Sequence, residues 1–322
     1  MKKIKYPVRG SVPFDNLINE YKAIFSAKLP QMEADWIAWK VKWNKYNLDA
    51  VITQTVEDLL IAETDVLADV FDKFVNLNIP KTQFDPLRNK NVKSDEYKEL
   101  FKIFNYSSKT NGYDDAIAGF FMSHAKALHI SICHYCELAY VNAYTIISSG
   151  GQNRQFDMDH FLPKSECPIV GLSLFNFVPS CQVCNSRIKL WRLVGSNKAE
   201  WEKFNPANEN YSANDDVKIR LRMWRKPDTK FRKNGEYYIY LRCKNGFRSA
   251  VDFFHLEERY EFHKDEALRL LKLKAKYPKS TINRISGLLG KPESEIKEDL
   301  FHKKFLSEHD RCFAKLTKDI LG

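Results

Sequence analysis

Two Cys-x-x-Cys pairs, Cys133–Cys136 and Cys181–Cys184, are separated by forty-four residues. Each pair can bring two sulfurs to a common ion, so together they can close one tetrahedral thiolate site, and soft thiolates select zinc over hard cations. Between the pairs lies Asp-Met-Asp-His-Phe-Leu-Pro-Lys, residues 157–164, and Asn185 follows the second pair directly. Asp159 and Asn185 offer oxygen ligands, which suit magnesium or manganese, and His160 stands beside Asp159. One short stretch thus holds donors for two metals of opposite hardness. A strand through Asp157–His160 would carry Asp157 and Asp159 on one side. A helix from about Cys181 would carry Cys181 and Cys184 together, with Asn185 rotated about 100° from Cys184 toward a cleft.

In this pattern the chain resembles the HNH nucleases, the zinc-clamped branch of the ββα-metal (His-Me finger) endonucleases. The likeness rests on Asp159-His160, on Asn176 in Asn-Phe-Val-Pro, and on Cys-Gln-Val-Cys-Asn-Ser-Arg-Ile-Lys, residues 181–189. It covers roughly residues 130–190, about a fifth of the chain. The resemblance implies a metal-dependent endonuclease in which Asp159 and Asn185 hold one divalent ion, Mg²⁺ or Mn²⁺. His160 would then deprotonate the attacking water, and Asn176 would pin the loop that orients the histidine. Zinc on Cys133, Cys136, Cys181 and Cys184 would be structural. Arg187 and Lys189, further along the helix, would contact phosphate. The role of Asp157 stays open between an outer partner and a ligand replacing Asp159. Intracellular HNH proteins with large unrelated flanks resemble restriction, mobile-element or anti-phage nucleases, some of which work beside an ATPase.

The elements around this stretch read as α+β, mostly helical. Residues 1–129 form a helical region, 130–192 the zinc-clamped core, and 193–322 a basic β-hairpin followed by helices. Pro13 can open the first helix, with Leu17, Tyr21 and Phe25 on its apolar stripe. Trp36, Trp39 and Trp43 recur at helical spacing; packing in the core is the preferred reading over a base-stacking surface. Asp58, Asp65, Asp69 and Asp72 give the next amphipathic stretch an acidic outer face, suited to scaffold or to a protein partner such as an ATPase rather than to DNA. Pro80 and Pro86 bracket a loop, Ser94 caps a helix, and residues 107–115 are the linker candidate.

The 322 residues carry a formal charge of +10, and 44% are hydrophobic. Residues 186–250 hold sixteen Lys/Arg against seven Asp/Glu, so most of the excess lies just behind the motif. Such a concentration is the footprint of a polyanion-binding face. Alternation in Val217–Trp224 puts Lys218, Arg220 and Arg222 on one strand face, where they would meet phosphate, and residues 236–243 supply the partner strand. DNA is the preferred target; an RNA-directed nuclease and a non-cleaving zinc-stabilised nucleic-acid-binding module are the alternatives. The cysteine usage, with three left over outside the two pairs, the absence of a secretory-type start and the lack of a long apolar run suggest a cytoplasmic protein with no membrane span.

Overall fold

The computed structural model describes residues 1–107, 112–223, 237–301 and 311–321. The fold is α+β. About half of the chain is helical, and the described strands form four two-stranded antiparallel sheets. These are β1 (Thr82–Asp85) with β2 (Lys90–Lys93), β3 (Ala143–Thr145) with β4 (Gln152–Arg154), β5 (Asp157–His160) with β6 (Phe177–Ser180), and β7 (Val217–Met223) with β8 (Tyr237–Cys243). The segment expected as a loop between Pro80 and Pro86 is therefore part of a hairpin. Its turn is closed by Asp85 Oδ1, which accepts from Leu87 N–H at 3.0 Å. The β3–β4 hairpin was not expected either; these strands are too short and too exposed to show an alternating pattern.

Local chemistry explains the N-terminal helices. Ser11 Oγ accepts from Phe14 N–H at the start of helix Val12–Ala23, and Leu17, Tyr21 and Phe25 are buried along its stripe and just beyond it. Thr55 and Asp58 form a reciprocal capping box for Val56–Ile61. Ser94 accepts from Tyr97 N–H and opens Asp95–Ile103. Trp36 and Trp39 are core residues, with indole N–H groups donating to Gln54 O at 3.2 Å and Glu96 O at 3.1 Å. Burying an aromatic body while pairing its polar tip is the stable solution for tryptophan. On helix Thr64–Asn76, Asp69 meets Lys198 at 2.6 Å and Lys73 at 2.7 Å, so part of the acidic face is neutralised within the chain.

One apolar core runs from Met1 to Ile320 without a break at 129/130 or 192/193. Two side chains and one main-chain carbonyl of the N-terminal region fasten the stretch between β5 and β6. Tyr21 Oη donates to Leu172 O at 2.7 Å, Ser173 Oγ donates to Leu59 O at 2.5 Å, and Tyr97 Oη donates to Glu166 O at 2.7 Å. The helical region is thus the bed on which the motif lies. A satellite cluster of Ile282, Ile296 and Phe301 joins helices Lys279–Leu289 and Glu293–Phe301. Gly290, at φ +63, ends the first of these, a left-handed cap that glycine adopts without strain.

Behind the motif, β7 and β8 pair from Val217↔Cys243 to Met223↔Tyr237. Trp224, the loop with Pro227 and Gly235, residues 108–111 of the linker candidate, and 302–310 lie outside the described residues. Among the described residues, no helix is long and apolar enough to cross a membrane.

Candidate metal centre and active site

The ligating sulfurs of Cys133, Cys136, Cys181 and Cys184 all lie within 4.8 Å of one another, and all four residues are buried. The cysteines are free, and Cys136 Sγ is 3.9 Å from Cys181 Sγ. A zinc–sulfur bond of ~2.3 Å in a tetrahedron gives sulfur–sulfur edges of about 3.8 Å, so the cluster has the dimensions of a metal site rather than of disulfides. Its surroundings donate to sulfur, as thiolates require. Cys181 N–H donates to Cys133 Sγ at 3.3 Å and Leu138 N–H to Cys136 Sγ at 3.4 Å. Arg259 Nη1 donates to Cys184 Sγ at 3.3 Å. Four thiolates on a divalent ion carry net negative charge, and the guanidinium opposes it. The site can hold a metal such as zinc. Among the described residues no histidine joins the cluster; His124 contacts Phe120 O and Glu20 instead.

This cluster ties the approach to β5 to the segment after β6. In the hairpin Asp159 pairs with Val178 and His160 with Phe177. Asn176, directly before β6, is fully buried and makes three main-chain bonds. Its Oδ1 accepts from Leu162 N–H at 2.7 Å, while Nδ2 donates to Leu162 O at 3.0 Å and Val170 O at 2.9 Å. The amide therefore clamps both ends of the 162–170 loop.

His160 is buried between the rings of Tyr106, 4.4 Å between centroids, and Phe177, 4.9 Å. Its Nε2 lies 2.9 Å from Gly171 O. A carbonyl only accepts, so Nε2 carries the proton and Nδ1 is left with the lone pair. Burial, followed by the charges of Lys164 and Lys189, holds the imidazole pKa well below its ordinary value, so the ring is a neutral base at pH 7. Gly171 has a steric role as well. A Cβ there would stand 2.9 Å from Pro168 O and 3.2 Å from Lys164 Cβ.

Asp159 is buried with both oxygens engaged. Tyr135 Oη donates to Oδ2 at 2.5 Å, and Lys189 Nζ donates to Oδ1 at 3.2 Å. Lys189 also donates to His160 O at 2.6 Å. Burial pushes the Asp159 pKa up and the Lys189 pKa down, each opposed by the other's charge. Lys189 is accordingly not the surface phosphate contact expected of it; it is fully buried. The reason is the width of the turn. Val183–Lys189 is π-helical, with Leu190 N–H donating to Asn185 O at 2.7 Å, rather than the α-helix assumed from sequence. At 100° per residue an α-helix would carry position 189 about 140° from Cys184. An i→i+5 turn brings it back beneath Cys184, so both residues face inward.

Asn185 Nδ2 donates to Asp157 Oδ2 at 3.1 Å, an oxygen that also accepts from Ser186 Oγ at 3.1 Å. Asp157 thereby fixes which way the Asn185 amide points, and Asn185 Oδ1 is the oxygen left to offer. Asp159, His160, Lys164 and Asn185 line one cavity of 260 Å³ with Leu190 and Trp191 at its wall. The lining thus brings one carboxylate and one side-chain amide to the same space.

Arg187 is exposed. Of the strand residues, Lys218 is near Asp215 at 3.6 Å and Asp319 at 3.9 Å, and Arg220 donates to Asp319 O at 2.6 Å. Both side chains help dock helix Ala314–Leu321. Arg222 is exposed and stacks on Tyr240, 5.3 Å from the ring centroid. The free positive charge of that strand face is thus smaller than alternation alone suggests. Tyr135, Gly171, Lys164 and Arg259 are site residues that motif spacing did not single out. Tyr135, lying between two cysteines, and Lys164, at the end of the 157–164 stretch, carried a local hint.

No family model, curated protein or solved structure matches this chain.

Proposed function

We propose that this protein is a metal-dependent endonuclease of the HNH type, acting on DNA, with structural zinc on its four clustered cysteines. The observation that carries the reading is the meeting of Asp159, His160 and Asn185 in one cavity, with the His160 tautomer fixed by Gly171 O. Nothing in a non-cleaving binding module calls for a buried neutral imidazole beside an oxygen-donor pair.

In the proposed reaction Nδ1 of His160 accepts a proton from a water molecule as that water attacks phosphorus. The new phosphorus–oxygen bond forms as the bond to the 3′ oxygen breaks, and the leaving oxygen takes its proton from solvent. Gly171 O stabilises the imidazolium that results, because Nε2–H already points at it. Asn176 keeps Gly171 and His160 in register by holding Leu162 and Val170. A Mg²⁺ or Mn²⁺ ion on Asp159 and Asn185 would supply positive charge to the scissile phosphate and the leaving oxygen. Asp157 and Lys189 act one step back, aiming the Asn185 amide and holding the Asp159 carboxylate.

The test is incubation of supercoiled plasmid with Mg²⁺ or Mn²⁺, comparing the wild-type protein with His160→Ala. Nicking or linearisation by wild type, lost in the variant, supports the reading. Binding without cleavage under either metal removes it in favour of the zinc-stabilised binding module.

A further inference from the structure

Among the described residues, one cation in the cavity wall is in no ion pair; Asp159 and Asp114 act on it only at longer range. Lys164 sits in the wall with Asp159, His160 and Asn185. Among the described residues no carboxylate lies within 4.0 Å of its Nζ, and no hydrogen-bond acceptor meets it. Its polar end lies over the Tyr106 ring, 4.6 Å from the centroid, and the edge of the same ring packs on His160. Lys189 makes the contrast: its ammonium is consumed by Asp159 and by the His160 carbonyl. A half-buried ammonium without an acceptor is costly to desolvate unless an anion completes it.

The residue is also held in place. Lys164 belongs to a turn in which Glu166 N–H and Cys167 N–H both donate to Pro163 O, at 3.0 and 3.1 Å. Tyr97 ties that turn to helix Asp95–Ile103 through Glu166 O, and Lys81 pairs with the Glu166 carboxylate. The bare Cα of Gly171 leaves room for the Lys164 stem while its carbonyl holds His160, so one residue sets the placement of both groups.

We propose that Lys164 grips a non-bridging oxygen of the scissile phosphate and so presents phosphorus to the water activated by His160. This rests on the nuclease reading and names a substrate contact within it. The ammonium donates to a phosphate oxygen that gains negative charge as the pentavalent state forms, and no proton leaves it.

Two measurements on Lys164→Met and Lys164→Arg test this, each variant first matched to wild type in circular dichroism and zinc content. In single-turnover plasmid cleavage, Lys164→Met should lose about 100-fold in rate, the scale of one removed charge-stabilising donor, and Lys164→Arg should stay within about 10-fold of wild type. In EDTA, the affinity of Lys164→Met for a short fluorescent duplex should depend less steeply on salt, its slope falling by about 0.9 for the one lost phosphate contact. If wild type cuts and Lys164→Met cuts equally fast, the proposal fails while the nuclease reading stands. If wild type does not cut but the salt slope falls as stated, the nuclease reading fails and the presentation of phosphorus to water fails with it, while a Lys164 contact to backbone phosphate is what the slope shows. If neither cutting nor the slope change is seen, both are overturned.

Discussion

Replacing Asn176 with alanine strips three partners from main-chain groups in the interior at once. Leu162 N–H, Leu162 O and Val170 O each lose a bond of 2.7–3.0 Å, at a site with no exposure to water. Val170 O still accepts from Ser173 N–H at 3.3 Å, so the two Leu162 groups are the ones left unpaired, and a buried polar group left unpaired costs about 1–3 kcal/mol. Partial relaxation and entry of water into the space left by the amide reduce the sum, and we expect a loss of ~3–5 kcal/mol, near the upper end of single-residue effects. That is a large share of the ~5–15 kcal/mol by which a typical domain is stable. Urea unfolding followed by tryptophan fluorescence gives the number as the fall in midpoint multiplied by the slope. Amide exchange adds a local readout: Leu162 N–H should exchange faster in the variant than in the wild type, relative to a reference amide in helix Thr64–Asn76. Asn176→Asp sharpens the argument. It keeps the acceptor for Leu162 N–H but turns an oxygen toward two carbonyls, which disfavours the ionised form and raises its folded-state pKa above the unfolded value. A raised pKa gives stability below the unfolded value that is lost as pH rises through the folded one, so this variant should be less unstable at pH 4 than at pH 7. An Asn176→Ala protein within 0.5 kcal/mol of wild type, with unchanged Leu162 exchange, would refute the claim that this amide holds the loop; so small a change is about what surface substitutions give.

Further outcomes follow from the same contacts. Metal analysis should find about one zinc per chain, and Cys181→Ser should lose it together with cooperative unfolding, since the binding energy of such a site is folding energy. Arg259→Ala should keep the zinc but release it to a chelator at about 10–100-fold lower concentration, the usual effect of deleting an outer hydrogen bond to a ligand; equal resistance would make the 3.3 Å contact to Cys184 irrelevant. Lys189→Met should destabilise by ~3–5 kcal/mol because it leaves Asp159 buried and unpaired. Tyr135→Phe, which removes one bond to the same carboxylate, should cost about 1.5–3 kcal/mol. Thermal unfolding of the two side by side checks the order, and Tyr135→Phe proving the worse would contradict it.

The chain's own sequence determined the donors and their order: four cysteines in two pairs, Asp159-His160 on a strand, Asn185 just past the second pair. It also determined features whose cause is local, such as the Ser94 cap, the Gly290 stop and the burial of Trp36 and Trp39 within a helical stripe. These depend on neighbours within a turn or two, and periodicity reports them. Tertiary structure decided the rest. The fate of Lys189 turned on one widened helical turn, which no residue pattern announces, and the orientation of Asn185 on an aspartate 28 residues earlier. The His160 proton was assigned by a glycine carbonyl 11 positions away, and charge beside the Cys184 sulfur by an arginine 75 positions away. Spacing along a chain fixes what a short element presents on each face. Which distant atom meets that face depends on how the elements close over one another, and that is set by the packing of the whole core.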